Sequence, residues 1–240
     1  MAKSLGVKVW QSRQELANEV SFRFLCFPAV QQLDLTGPYE VFASADGAEV
    51  HLVWKDLEPV RSSTGLWLKP DTRFADAPDF DVLCVPGGAG VNALLFDQET
   101  LAFVRDKAAK ARFVTSVCTG SLVLGQAGLL EGRRATTHWN AHAFLERFGA
   151  VPAKERVVRD GSLITAGGVT SGIDFGLTVV AELLGREEAE IIQLSLEYAP
   201  APPFSSGLPE TAPSSVLAAA RARMAGSRAE REALLVGRSV

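Results

Sequence analysis

The sequence predicts an α/β protein: one domain built on an open, mostly parallel sheet with helices on both faces. Three observations carry that expectation. Short apolar runs alternate with amphipathic runs through residues 20–198. The run DFDVLCVPGG (79–88) reads as a strand buried on both faces and ended by glycines, as strands of a covered parallel sheet do. The chain of 240 residues is 47% hydrophobic and 22% charged, enough to bury a large core.

Taken in order, FRFLCF (22–27) is a strand, and TGPYEVFASA (36–45) a helix that Thr36 caps, with Pro38 near its start. AEVHLVW (48–54) alternates like a strand. PVRSSTGLWLKP (59–70) is a hairpin turning at Thr64-Gly65. After the strand at 79–88, QETLAFVRDKAAKA (98–111) is an amphipathic helix with Leu101, Val104 and Ala108 on one face. RFVTSV (112–117) is a strand that runs straight into a helix ending near Ala127.

HWNAHAFLERFG (138–149) is a helix closed by Gly149, and ERVVRDGSLITAGG (155–168) a hairpin around Asp160-Gly161. TSGIDFGLTVVAELLG (170–185) is a helix, with Ser171 and Asp174 spaced as a capping box. EEAEIIQLSLEY (187–198) is helical. The chain then divides into an N-terminal extension (1–19), a core domain (20–198), and a Pro/Ser-rich arm with a C-terminal helix (199–240). The arginines between 221 and 238 read as a solvated helix face.

Composition excludes several classes of function. A net charge of −4 disfavours a nucleic-acid or anionic-membrane surface. No run of 18 apolar residues occurs, and the first residues lack the order of a secretory signal, so a soluble cytoplasmic protein is expected. Three widely spaced cysteines make neither a disulfide framework nor a zinc site. His138 and His142 lie four apart but have no third ligand, so no metal is expected.

The chemistry concentrates at SVCTGS (116–121), where a thiol sits between a strand and a helix. Such junctions lie at the ligand-binding edge of open α/β sheets, and a tight turn there exposes its side chain as a nucleophile elbow does. A helix N-terminus under the sulfur is expected to lower the Cys118 pKa into the range of about 5–7. Gly87 and Gly88 end a neighbouring strand and are candidate backbone donors to substrate, beside the Thr119 N–H. Asp34 follows the first strand and precedes a helix. Cys26 and Cys84 lie in apolar strand runs and read as core.

Four stretches together resemble the DJ-1/PfpI superfamily: DLTGPYEVF (34–42), DVLCVPGG (81–88), SVCTGS (116–121) and AGLLEGRRATTHW (127–139). Asp34, where many relatives have Glu, and Thr119, where the protease-like branch has His, make the isonitrile (isocyanide) hydratases the most similar branch. The resemblance implies a flavodoxin-like fold, a homodimer with the site near its interface, and no cofactor. It implies Cys118 as nucleophile, Asp34 as acid/base and Thr119 beside them, acting on a small isocyanide. Gly167 and Gly168, before the helix at 170, are a possible hinge that lets that helix shift. Two other readings stand beside this one: a glyoxalase- or deglycase-like enzyme acting on small aldehydes, and a non-catalytic cysteine-based redox or ligand sensor.

Overall fold

The computed structural model describes residues 20–236; the N-terminal extension expected at 1–19 lies outside them. A seven-stranded sheet forms the centre, in the order β10-β11-β7-β6-β1-β2-β5. Its strands are β1 (Val20–Leu25), β2 (Ala48–Trp54), β5 (Thr72–Arg73), β6 (Val82–Val85), β7 (Phe113–Val117), β10 (Val157–Asp160) and β11 (Leu163–Ala166). Every pairing is parallel except that of β10 with β11. From β1 the chain builds outward to β2 on one side and later returns to β6 on the other. That reversal opens a crevice at the carboxyl ends of β1 and β6, the place where doubly wound sheets bind ligands.

The helices are α1 (Gln32–Ala43), α2 (Val91–Leu94), α3 (Gln98–Ala108), α4 (Gly120–Gln126), α5 (Ser171–Leu183), α6 (Arg186–Ser195) and α7 (Ser214–Val236). Aromatic packing ties β1 to two of them. Phe22 stacks on Phe42 of α1 at 4.1 Å between ring centroids, and Phe42 meets Phe175 of α5 edge-on at 5.8 Å. Helices α1 and α5 approach closely because Gly172 and Gly176 present no side chain. A Cβ on Gly172 would stand 2.9 Å from Pro38 Cδ, and one on Gly176 3.0 Å from Val41 Cβ.

Several sequence expectations are corrected. Helix α1 starts at Gln32, so Thr36 is not its cap; Asp34 lies in its first turn and Pro38 inside it. The early start comes from the chain before it: Gln31 N–H donates to Gly87 O at 2.8 Å, which fixes the entry to the helix. Ser171 is not a capping residue either. Thr170 precedes α5 without a side-chain cap, and the Ser171 hydroxyl is buried with no partner. Asp174 instead pairs with Arg156 at 2.5 Å and accepts from Tyr198 Oη at 3.1 Å. Residues Trp139–Phe148 wind as a 3-10 helix, closed by Gly149 in the left-handed region at φ 68°.

The hairpin at 59–70 forms as β3 (Val60–Arg61) and β4 (Trp67–Leu68), and a small parallel pair joins β8 (Arg134–Ala135) to β9 (Val151–Pro152). Cys26 and Cys84 are core residues whose thiols burial pushes up to about 12. Among the described residues no helix is long and apolar enough to cross a membrane, and no group of three metal-ligating side chains occurs.

Candidate active site

Four adjacent strand ends converge on one point. Asp34 follows β1, Gly87 and Gly88 follow β6, Cys118 follows β7, and Gly167 follows β11. Cys118 holds a left-handed backbone, φ 56°, which costs a residue with a Cβ about 1–2 kcal/mol. The surroundings enforce it. Its N–H donates to Ala166 O at 3.0 Å and Gly167 O at 2.8 Å. Its carbonyl accepts from Thr137 Oγ1 at 2.9 Å and from Ser121 Oγ at 3.2 Å. Gly120 completes the bend, since a Cβ there would lie 2.0 Å from Val85 O. The strand-to-helix junction is therefore a strained elbow that aims one thiol into the crevice.

Asp34 is fully buried, and its Oδ2 accepts from Gly87 N–H at 2.9 Å. Gly88 N–H donates to Thr119 Oγ1 at 3.2 Å. Both amides expected to face substrate are thus occupied, one holding the acid and the other the threonine hydroxyl. Gly87 must be glycine for a separate reason: a Cβ would fall 2.6 Å from Thr119 N and 2.8 Å from Asp34 Oδ2. The Thr119 N–H and hydroxyl both favour negative charge on the Cys118 sulfur.

The thiol pKa differs from the sequence expectation. Cys118 is only 7% exposed, and burial, reinforced by the negative charge of Asp34, holds its pKa well above the usual thiol value. Desolvation outweighs the helix N-terminus and the Thr119 donors. Burial also raises Asp34 to about 7, against the opposing pull of the Gly87 N–H and the Cys118 thiol. Thiol and carboxyl interact as donor and acceptor, so they titrate as one unit that carries a single proton just above neutrality.

A cavity of about 280 Å³ opens over this pair, lined by Cys118, Thr119, Gly88, Gln31, His138 and Arg231 among others. Burial and the nearby Arg231 charge lower His138 to about 4, so it is neutral at physiological pH. Its ring accepts from Asn140 N–H, and it belongs to no metal cluster. Gly167 and Gly168 lie behind the thiol; Gly167 O receives the Cys118 N–H, and Gly168 O receives the N–H of Ser171 at the start of α5.

One wall of the cavity was not foreseen. Met224, Ser227, Arg228 and Arg231 of α7 line it, so these arginines do not lie on a solvated face. Arg231 is 5% exposed. The inward stripe Met224, Arg228, Arg231, Leu235 has helical 4-3-4 spacing, which is the signal a reading based on charge overlooks.

Comparison with known proteins fits this geometry. A model of the DJ-1/PfpI family matches residues 20–182. The isonitrile hydratase of Pseudomonas putida is 65% identical over 204 residues, covering 85% of this chain and 90% of that protein. The crystal structure of a THiJ/PfpI family protein from Pseudomonas syringae superposes with a TM-score of 0.88 at 42% identity, covering 98% of this chain and 97% of that one. Drosophila melanogaster DJ-1beta superposes with a TM-score of 0.70 at 25% identity, over 76% of this chain and all of its own. With its thiol on a strained elbow and its family match spanning the sheet, the chain belongs to the DJ-1/PfpI family.

Proposed function

We propose that this protein is a cofactor-independent hydratase that converts an isonitrile and water into an N-substituted formamide. Cys118 is the nucleophile and Asp34 the general acid and base. The observation that carries the reading is the buried Cys118–Asp34 pair, with Cys118 lining an open cavity, Asp34 held behind it against Gly87, and Asp34 raised to about 7. The 65% identity to the Pseudomonas putida isonitrile hydratase supports the substrate class.

The chemistry follows from one shared proton. When it moves from sulfur to Asp34, the thiolate attacks the terminal carbon of R–N≡C and a C–S bond forms. Asp34 then delivers the proton to that carbon, giving the thioimidate R–N=CH–S–Cys118. The Asp34 carboxylate takes a proton from water as the oxygen adds to the same carbon. Asp34 gives that proton to nitrogen, the C–S bond breaks with its electrons on sulfur, and the hydroxyl proton returns to the Cys118–Asp34 pair as R–NH–CHO leaves. Two easier steps replace one hard hydration, and the proton carrier works best with a pKa near the operating pH. The Thr119 N–H and hydroxyl hold the sulfur's charge.

The test is formamide formation from a small aryl isocyanide. Cys118→Ser and Cys118→Ala abolish it, and Asp34→Asn lowers kcat by about 10²–10⁴-fold. Turnover of methylglyoxal without formamide would assign the site to aldehydes instead. The same proposal includes a homodimer in a reducing cytoplasm, consistent with three free cysteines, and Gly167-Gly168 as the hinge of α5. Light scattering of the purified protein tests the dimer.

A further inference from the structure

A buried thiol beside a buried acid keeps its proton, yet the proposed chemistry needs the proton on the acid. Two arginines of α7 line the cavity, and Arg231 is the more deeply buried of them. Arg231 is 5% exposed and stands on the inner face of α7. Its Nε donates to Asn92 Oδ1 at 2.9 Å. Asn92 is itself held to α7, donating to Ser227 O at 3.2 Å and Glu230 Oε2 at 2.8 Å. The guanidinium lies 5.8 Å from the centroid of the Phe144 ring.

Among the described residues Arg231 makes no ion pair with a carboxylate; Glu230 is turned to Asn92. Burying a guanidinium without an anion is costly. The groups that face it and Cys118 identify what fills that role. Arg228, from the same helix, donates to Asn140 O and sits over Phe144. His138 lines the cavity and His142 lies near Thr136, and burial holds both imidazoles below their ordinary values. Asp34 lies behind the thiol against Gly87. The ionisable group that shares the cavity with Arg231 is Cys118, whose negative form favours the Arg231 charge, as does Glu230 on the same helix.

We propose that Arg231 is the counter-ion of the Cys118 thiolate, a positioning residue that α7 delivers across the cavity to draw the shared proton from sulfur onto Asp34. Helix α7 thereby belongs to the active site. For turnover this rests on the hydratase reading; for ionisation of the thiol it rests on the cavity alone.

The test needs no substrate. Full-length protein is alkylated with iodoacetamide from pH 6 to 11.5, and modification of the Cys118 peptide is followed by mass spectrometry. The pH midpoint is the readout, because access through the roof changes the absolute rate without moving it. In Arg231→Gln the midpoint rises and the ionised fraction at pH 7 falls roughly tenfold. Arg231→Lys keeps most of the wild-type profile. Should Arg231→Gln not fold, Arg231→Met, whose apolar stem suits the buried site, decides the matter. A folded Gln or Met variant with the wild-type midpoint overturns the proposal. A raised midpoint in a protein whose wild type makes no formamide would uphold the counter-ion and reject the hydratase reading.

Discussion

Replacing Asp34 with Asn should exchange activity for stability in a pH-dependent way. Asp34 ionises near 3.8 in an unfolded chain and at about 7 in the folded one. Below pH 4 both states hold the proton, and the carboxyl imposes no ionisation cost. Between pH 4 and 7 the unfolded chain sheds its proton while the folded one keeps it, so stability falls as pH rises. Above 7 the full cost is present, roughly 4 kcal/mol from a shift of about three units. Asparagine removes this slope. It retains an acceptor for the Gly87 N–H, but its amide N–H₂ points where Oδ1 now has no partner other than the thiol. An under-satisfied buried donor costs about 1–3 kcal/mol at every pH.

The two stability curves should therefore cross. Asp34→Asn is the less stable protein at pH 4 and the more stable at pH 8, by about 1–3 kcal/mol, or ~2–4 °C in Tm per kcal/mol for a domain this size. Urea unfolding at pH 4, 5, 6, 7 and 8, wild type against variant, measures it, and groups common to both cancel. Parallel curves across that range would show that Asp34 ionises normally, and the shared-proton chemistry would go with it.

Three further outcomes follow from the packing. Gly120→Ala forces a Cβ to within 2.0 Å of Val85 O, so chemical denaturation should show a loss of at least ~1–3 kcal/mol, and Cys118 should lose its elbow and its turnover. Ser171→Ala removes a buried hydroxyl with no partner; its melting temperature should equal or exceed wild type, whereas an intact capping box would cost about 1 kcal/mol on the same change. Native protein treated with a thiol-reactive disulfide reagent should label Cys118 alone, since Cys26 and Cys84 are 0% and 2% exposed; Cys118→Ser should then label only after denaturation.

The fold was legible because it rests on periodicity, which the chain displays openly. Buried strands read as continuous apolar runs, and the hairpin turns at Gly65 and Gly161 carry the positive φ that glycine permits. The nucleophile was legible because Cys118 and Gly120 need each other at fixed spacing. What stayed hidden depends on contacts between distant segments. Nothing near Gln31 announces that its N–H will bond Gly87, yet that bond sets the start of α1 and places Asp34 inside the helix. The thiol pKa was misjudged for a similar reason. A helix N-terminus is visible in sequence, whereas the burial that outweighs it comes from α1, α5 and α7 closing around the elbow.

The same hidden burial bears on how such a site can work. A thiol exposed to water would ionise readily and react with any passing electrophile or oxidant. At 7% exposure beside an acid, Cys118 rests protonated and reacts more slowly than a free thiolate. In that buried setting one charge opposite the sulfur has more effect than it would in water. Two proton positions, on sulfur or on Asp34, can then differ by little, and a buried cation on α7 is enough to choose between them. The cost is structural: an arginine occupies a place in the inward stripe of α7 where a leucine would pack better. If Arg231→Leu raises the melting temperature while slowing formamide production, that exchange of stability for reactivity is real; if it lowers both, Arg231 serves the roof and not the sulfur.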